Sequence, residues 1–483
     1  MSMSLRDQML RKKPLQIAHP DEADHHHSGP DLNRTIGTFQ LMLFGVGGTV
    51  GTGIFFVLQE AVPDAGPAVI VAFVLAGVAA GLSAVCYAEL ASAIPVSGST
   101  YSYAYHSLGE VFAMGIAACV ILEYGVAGSA VAVGWSGYFN ELLDQTVGVT
   151  IPDALSYSPI PVEGGTTGWV NLPAIVLVVL CSLLLIRGAS ESAKVNTVMV
   201  LIKLAVLVLF AVIGLTAFQA DRFENFWAAG SAGITAAAGT IFFSFIGLDS
   251  ISTAGEEVKD PQRALPRALV GALIVVVGIY LLVAIAGVGS QPLEEFSSEE
   301  QQSAGLSVIL ENITGSAIPG TILAAGAVIS IFSVTLVTLY GQTRILFAMG
   351  RDRMLPDRFA EVDSRTLTPT FNTIVVMVVV SLIAGFVPSD YLWDTVSIGT
   401  LIAFSVVAIG VIVLRRTRPD LHRPFKVPGY PVTPILTVAA CVYVLSGLAP
   451  ITWVIFGVWL AALMAYYFFV ARHRSRLTEE VAS

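Results

Sequence analysis

Three ionisable side chains stand deep inside apolar sequence. Lys203 lies in the run Val198-Met-Val-Leu-Ile-Lys203-Leu-Ala-Val-Leu-Val-Leu-Phe210, nine residues past the nearest flanking charge, Lys194. At 1.5 Å of rise per residue that is about 14 Å into a helix. Glu123 and Asp249 stand in the middle of two other apolar runs. A charge within a bilayer is expensive unless it is paired, hydrated or neutral, so each of the three is a functional candidate. At Lys203 the chemistry is exchange of a proton or a coupling cation. At the two carboxylates it is either capture of a positively charged group or a structural hydrogen bond to unwound backbone.

These residues must be positioned by membrane helices. Hydrophobic residues make up 55% of the 483 and charged residues 12%, against about 25% charged in a soluble domain. Mean hydropathy is +0.77. Apolar stretches near 36–60, 66–94, 108–140, 168–188, 191–218, 230–257, 267–289, 316–350, 369–388, 392–415, 431–449 and 451–473 predict twelve spans of an all-α polytopic membrane protein. Cys86, Cys119, Cys181 and Cys441 all fall inside apolar stretches and read as small buried hydrophobes. The first 35 residues are polar and carry no apolar core of the signal-peptide kind. His25-His26-His27 reads as part of a solvated tail.

The basic residues order the spans. Of 25 Lys and Arg, 23 fall in the two tails and in the loops between spans 4–5, 6–7, 8–9 and 10–11. Arg222 alone is on the other face. By the positive-inside rule both termini are cytoplasmic, and Trp135, Trp169, Trp227, Trp393 and Trp453 then mark an outer aromatic belt.

Two spans are poor continuous helices. The first contains Gly45, Gly47, Gly48, Gly51 and Gly53, five glycines in nine residues, each costing about 1 kcal/mol against Ala in a helix. The sixth reads Phe242-Phe243-Ser244-Phe245-Ile246-Gly247-Leu248-Asp249. They open two halves, 36–218 and 230–415, each with an odd number of spans, so the second is inverted relative to the first. Interrupted segments at matching positions of inverted halves point to a transport site. Spans 11 and 12 occupy 431–473, with tails at 1–35 and 474–483.

The ordered motifs Gly51-Thr52-Gly53-Ile54-Phe55, Cys86-Tyr87-Ala88-Glu89, Pro95-Val-Ser-Gly98-Ser-Thr-Tyr101, Glu123-Tyr124-Gly125, Phe243-Ser-Phe-Ile-Gly247-Leu-Asp249, Glu256-Glu257-Val-Lys-Asp260-Pro261-Gln-Arg263 and Tyr340-Gly341-Gln342-Thr343-Arg344 resemble the amino acid–polyamine–organocation (APC) superfamily, and within it the cationic amino acid transporters. The resemblance implies a five-plus-five inverted repeat with broken spans 1 and 6, two added helices, and alternating access around a central amino acid site. It places Phe243 as the aromatic that closes over the substrate. It also aligns Lys203 with a lysine of sodium-independent members, in the space where sodium-driven relatives hold a metal. Lys203 there either cycles a proton or serves as a fixed cationic strut.

An amino acid zwitterion suits such a site. Its carboxylate fits free N–H groups at the first break, from Val50, Gly51, Thr52 and Gly53, with Thr49 and Ile54 flanking them. Its ammonium fits carbonyls freed in span 6, from Phe243, Ser244 and Ile246. Glu123 and Asp249 would hold a side-chain cation if the substrate carries one. Thr338, with Thr49 and Ser244, adds hydroxyls to the pocket. Glu89 is expected to cap or pair locally, and Glu256 and Glu257 to form solvated pairs beside Lys259 and Arg263.

The expected function is secondary active transport of cationic or small neutral amino acids, sodium-independent and proton-coupled, across a plasma or bacterial inner membrane. An amino acid–polyamine antiporter and a non-transporting sensor are the alternatives; the sensor needs a signalling domain that the short tails do not supply. Amino acid, proton and lipid are the expected partners, with no cofactor, metal, nucleic acid or obligate protein partner. No GxxxxGK[ST] motif supports a self-powered pump.

Overall fold

The computed structural model describes residues 5–14, 32, 34–161, 166–298, 305–388, 390–446 and 450–477; His25–His27 and the last six residues lie outside them. Among the described residues the chain is helical and no β-strand forms. Eight helical stretches among the described residues are long and apolar enough to cross a membrane, and three more apolar helices are shorter. The protein is a polytopic membrane protein.

In chain order the helices are α1 (Leu5–Leu10), α2 (Thr38–Thr49), α3 (Thr52–Ala65), α4 (Val69–Ala93), α5 (Ser99–Ser107), α6 (Glu110–Val147), α7 (Asp153–Ser156), α8 (Leu172–Ile186) and α9 (Ala189–Thr216). There follow α10 (Gly230–Phe242), α11 (Ser250–Thr253), α12 (Pro261–Ser290), α13 (Leu306–Thr314), α14 (Ala317–Arg351), α15 (Thr370–Phe386), α16 (Asp390–Thr417), α17 (Val432–Leu445) and α18 (Pro450–Tyr466).

The segment at 36–60 is two helices. Val50 (φ −76°, ψ 89°) and Gly51 (φ −126°, ψ −146°) leave the helical region and separate α2 from α3. The segment at 230–257 is also interrupted. A 3₁₀ turn over Phe243–Phe245 follows α10, Ile246 is extended, and Gly247 has φ 107°, which strongly favours glycine. A Cβ on Gly247 would lie 2.4 Å from the Gly48 carbonyl oxygen, so the two interruptions touch backbone to backbone. On one side of them α3 packs against α10, and on the other α2 packs against α11. The segment before α2 is tied to the segment after α11 by Ile36 N–H to the Glu257 carbonyl (3.0 Å) and Lys259 N–H to the Ile36 carbonyl (2.9 Å).

Several expectations are corrected. Glu256 and Glu257 do not form solvated pairs with Lys259 and Arg263. Glu257 is fully buried and accepts from Arg344 Nε at 2.6 Å, while Glu256 pairs with Arg351 and accepts from Ser97. Glu89 does not pair locally: Arg415 and the Val427 N–H, far along the chain, reach its carboxylate at 2.5 and 2.6 Å. Trp135 is buried, stacked on Phe139 and donating to the Val328 carbonyl (3.0 Å), so it is a packing residue; Trp169, Trp227 and Trp453 are exposed. Helices α5 and α13, short and outside the long apolar runs, had no counterpart among the expected spans. The four cysteines are free and buried.

Candidate functional site

The first interruption exposes the C-terminal carbonyls of α2, the negative end of its dipole. Lys203, on α9 and completely buried, fills that position. Its Nζ donates to the Val50 carbonyl at 2.6 Å, the Gly47 carbonyl at 2.9 Å and Ser333 Oγ at 3.4 Å. Ser330 Oγ donates to the same Val50 carbonyl (2.9 Å). Ser333 in turn donates to Asn196 Oδ1 (2.7 Å), and Asn196 Nδ2 reaches the Leu43 carbonyl (3.4 Å). Lys203 forms no ion pair among the described residues. The ammonium is held by carbonyl and hydroxyl dipoles contributed by α2, its C-cap and α14, which is the coordination a small monovalent cation would receive.

On the far side of the break, α3 begins at Thr52, so the N–H groups of Thr52, Gly53 and Ile54 have no intrahelical acceptor. Thr52 and Gly53 are among the residues expected to offer N–H groups there. The Val50 N–H does not, because it bonds to the Val46 carbonyl (2.9 Å). Thr49 turns its hydroxyl back onto the Gly45 carbonyl (2.9 Å). Ser244 lies over Gly53, where a Cβ would sit 2.5 Å from its Oγ; Val334 lies over Gly51, with Cγ2 at 2.8 Å.

Span 6 supplies fewer free carbonyls than expected. The Phe243 carbonyl accepts the Ile246 N–H (3.2 Å) and that of Ser244 accepts Tyr280 Oη (2.8 Å). The Ile246 carbonyl has no hydrogen bond among the described residues. Phe243 is 39% exposed, whereas its neighbour Phe245 is buried against the Tyr280 ring at 5.1 Å.

Tyr280 was missed from the sequence. It is fully buried on α12, and its one hydroxyl donates to both the Thr49 carbonyl (3.2 Å) and the Ser244 carbonyl, bridging the two interruptions. A lone tyrosine in the apolar run of α12 was the available signal, since a buried phenol needs a partner. Asn196, seven residues before Lys203, and Ser330 and Ser333, three apart on α14, were missed as well. Their helical spacing puts each set on one face.

The carboxylates lie apart from Lys203. Asp249 Oδ2 accepts Tyr124 Oη at 2.5 Å, and its Oδ1 is buried without a partner among the described residues. Glu123 lies beside Thr400 on α16, with Oε2 likewise buried and unpartnered. The cavity bounded by Asp249, Ser83, Tyr87 and Phe404 is about 10 Å³, room for about one water. Thr338 faces Gly128 on α6 and bonds its own helix at the Val334 carbonyl (2.9 Å). Ser333, Val334 and Val337, within the turn and a half before it, are α14 residues that lie against Gly47, Gly51 and Gly48.

Broken helices meeting inside a helical membrane protein, with a cation held on one side of the first break and free N–H groups on its other side, define a membrane carrier. The chain belongs to the amino acid permease family, whose model matches residues 36–482, and so to the APC superfamily. It is 39% identical over 472 residues to the methylthioribose transporter of Bacillus subtilis, covering 98% of this chain and 99% of that one. It is 38% identical to the branched-chain amino acid permease BcaP of Bacillus subtilis, covering 98% and 100%. Against the vacuolar cationic amino acid transporter 4 of Arabidopsis thaliana it is 34% identical, covering 85% and 68%. These relatives are transporters, and the protein is not an enzyme.

Proposed function

We propose that this protein carries amino acids across a plasma or bacterial inner membrane by alternating access, with twelve spans in a five-plus-five inverted repeat (36–218 and 230–415), two added helices and both termini cytoplasmic. The substrate carboxylate docks on the N–H groups that open α3, and its ammonium on the Ile246 carbonyl, with Phe243 closing over it. Transport needs no sodium, because the Lys203 ammonium occupies the cation position at the α2 break. Coupling to protons follows from the same bonds. When Lys203 gives up its proton it keeps two N–H donors but loses its charge and its third donor, so its hold on the Gly47 and Val50 carbonyls weakens and the break is freed to move against α9 and α14. The observation that carries this reading is the Lys203 ammonium seated on carbonyls of α2 and its C-cap with no carboxylate beside it among the described residues.

Of the two substrate classes, small neutral amino acids fit better. Asp249 is engaged by Tyr124, and the space beside it, about 10 Å³, has room for about one water and is too small for a guanidinium. A relative named as a branched-chain amino acid permease agrees with that reading.

Uptake into proteoliposomes of a labelled panel (alanine, leucine, lysine, arginine), with and without an inward proton gradient and with choline replacing sodium, tests it. Proton-driven accumulation of a neutral amino acid in choline is the expected result. Exchange without any net proton-driven uptake would make the protein an antiporter.

A further inference from the structure

Five hydrogen bonds converge on one fully buried carboxylate outside the transport site. Glu110, the first residue of α6, accepts from Arg11 Nε (2.6 Å), Arg11 Nη2 (2.8 Å), Tyr105 Oη (2.9 Å), Ser475 Oγ (2.8 Å) and Tyr467 Oη (3.1 Å). Arg11 belongs to the N-terminal segment, and Tyr467 and Ser475 to the C-terminal end. Arg11 Nη2 also donates to the Arg472 carbonyl (3.2 Å). Two residues on, Lys13 Nζ reaches buried Asp352 at 2.6 Å, which Tyr101 Oη also contacts (3.0 Å). The backbone of this segment is laced to the start of α6 and to α5 by Glu110 N–H to the Arg11 carbonyl (3.0 Å), Lys13 N–H to the Tyr105 carbonyl (3.3 Å) and His106 Nδ1–H to the Lys13 carbonyl (3.0 Å).

The other side of α5 bears on the end of the broken sixth span. Ser99 and Ser252 share a 2.6 Å hydrogen bond, and the Ser97 N–H and hydroxyl donate to Glu256 at 3.0 and 3.1 Å. A Cβ on Gly255 would meet the Val96 carbonyl oxygen at 2.9 Å. Helix α5 is therefore clamped between the chain ends and α11.

We propose that the two chain ends form one clasp on Glu110 and Asp352, which holds α5 against the end of span 6, and that releasing the clasp opens the cytoplasmic face. The opening rests on the alternating-access reading. The clasp gives the last helix a task outside the two repeats, that of fixing the position of the inner closure.

The test is a Ser252→Cys reporter, completely buried behind α5, in the full-length protein reconstituted in vesicles opened to the cytoplasmic side. It is labelled with a charged, membrane-impermeant maleimide and corrected for labelling of the protein without the reporter. Labelling at least about tenfold faster with Arg11→Gln plus Lys13→Gln is expected, since two buried carboxylates, Glu110 and Asp352, lose their cations. Lys12→Gln, which removes an exposed charge from the same segment, leaves the rate unchanged. The swap Lys13→Asp with Asp352→Lys labels more slowly than Lys13→Gln alone. Should the double variant fail to fold, Lys13→Gln and its swap decide the matter. Equal rates in native and clasp variants, or the same acceleration by Lys12→Gln, would overturn the proposal. Labelling requires neither substrate nor gradient, so it stands apart from any failure of the transport reading.

Discussion

At the residue scale, the site turns on which polar atoms share a partner. Tyr280 spends one hydroxyl on two carbonyls, one from each broken span. Tyr280→Phe leaves both buried carbonyls short of a donor, a penalty of about 1–3 kcal/mol. Part of it falls on the bound state, and substrate affinity is expected to weaken about tenfold by equilibrium binding with labelled alanine; unchanged affinity would place the substrate away from the breaks. The carboxylates make a second prediction. A substrate cation held by Glu123 or Asp249 would lose over a hundredfold in affinity on neutralisation, since breaking a buried pair costs about 3–5 kcal/mol. With Asp249 bonded to Tyr124, Glu123→Gln and Asp249→Asn are instead expected to change arginine and alanine affinities by the same factor. A selective loss of arginine binding restores the cationic reading.

Lys203 was legible because a lysine deep in an apolar run is too expensive to be incidental. Its partners were not. They are two backbone carbonyls more than 150 residues away and one hydroxyl on α14, that of Ser333, and a lone serine in an apolar helix does not say which way it faces. For the same reason the sequence overcounted the free groups: it could not show that Val50 N–H still completes α2 or that Tyr280 already takes the Ser244 carbonyl.

At the element scale, the glycine cluster was legible as a break, and the structure adds why those positions tolerate no side chain. Gly53 faces Ser244, and Gly48 lies against Gly247. Gly53→Leu is expected to wedge the two interruptions apart and abolish binding while the protein still inserts. Native-like affinity in that variant would move the site elsewhere. Helix α5 was not legible, because its nine residues are polar and short and their burial depends on both chain ends. His106 on α5 gives that region a pH dependence. Burial, with Lys13 adding to it, pushes the ring down to about 4, against about 6.5 for a free imidazole. The folded state holds the ring neutral, so its contribution is complete above pH 6.5 and is lost as pH falls from there toward 4, a total of about 3 kcal/mol. Thermal unfolding in detergent between pH 7 and 4.5 should therefore fall more steeply for the native protein than for His106→Gln. Parallel curves would mean the ring does not stay neutral in the fold.

At the scale of the whole molecule, the distribution of charge carried the most information. With 23 of 25 basic residues assigned to one face, Lys203 stood out as the exception, and the account rests on it. The most direct measurement is alanine uptake into proteoliposomes under an inward proton gradient, in sodium and in choline, for the native protein and Lys203→Met. Removing a buried charge eases membrane insertion, so loss of uptake in the variant reads as loss of function. Equal accumulation by the native protein in both salts is expected, with a fall of at least about tenfold in Lys203→Met, the scale that follows when a buried, hydrogen-bonded charge is removed from its acceptors. Undiminished proton-driven uptake by Lys203→Met, or a sodium requirement in the native protein, would contradict it.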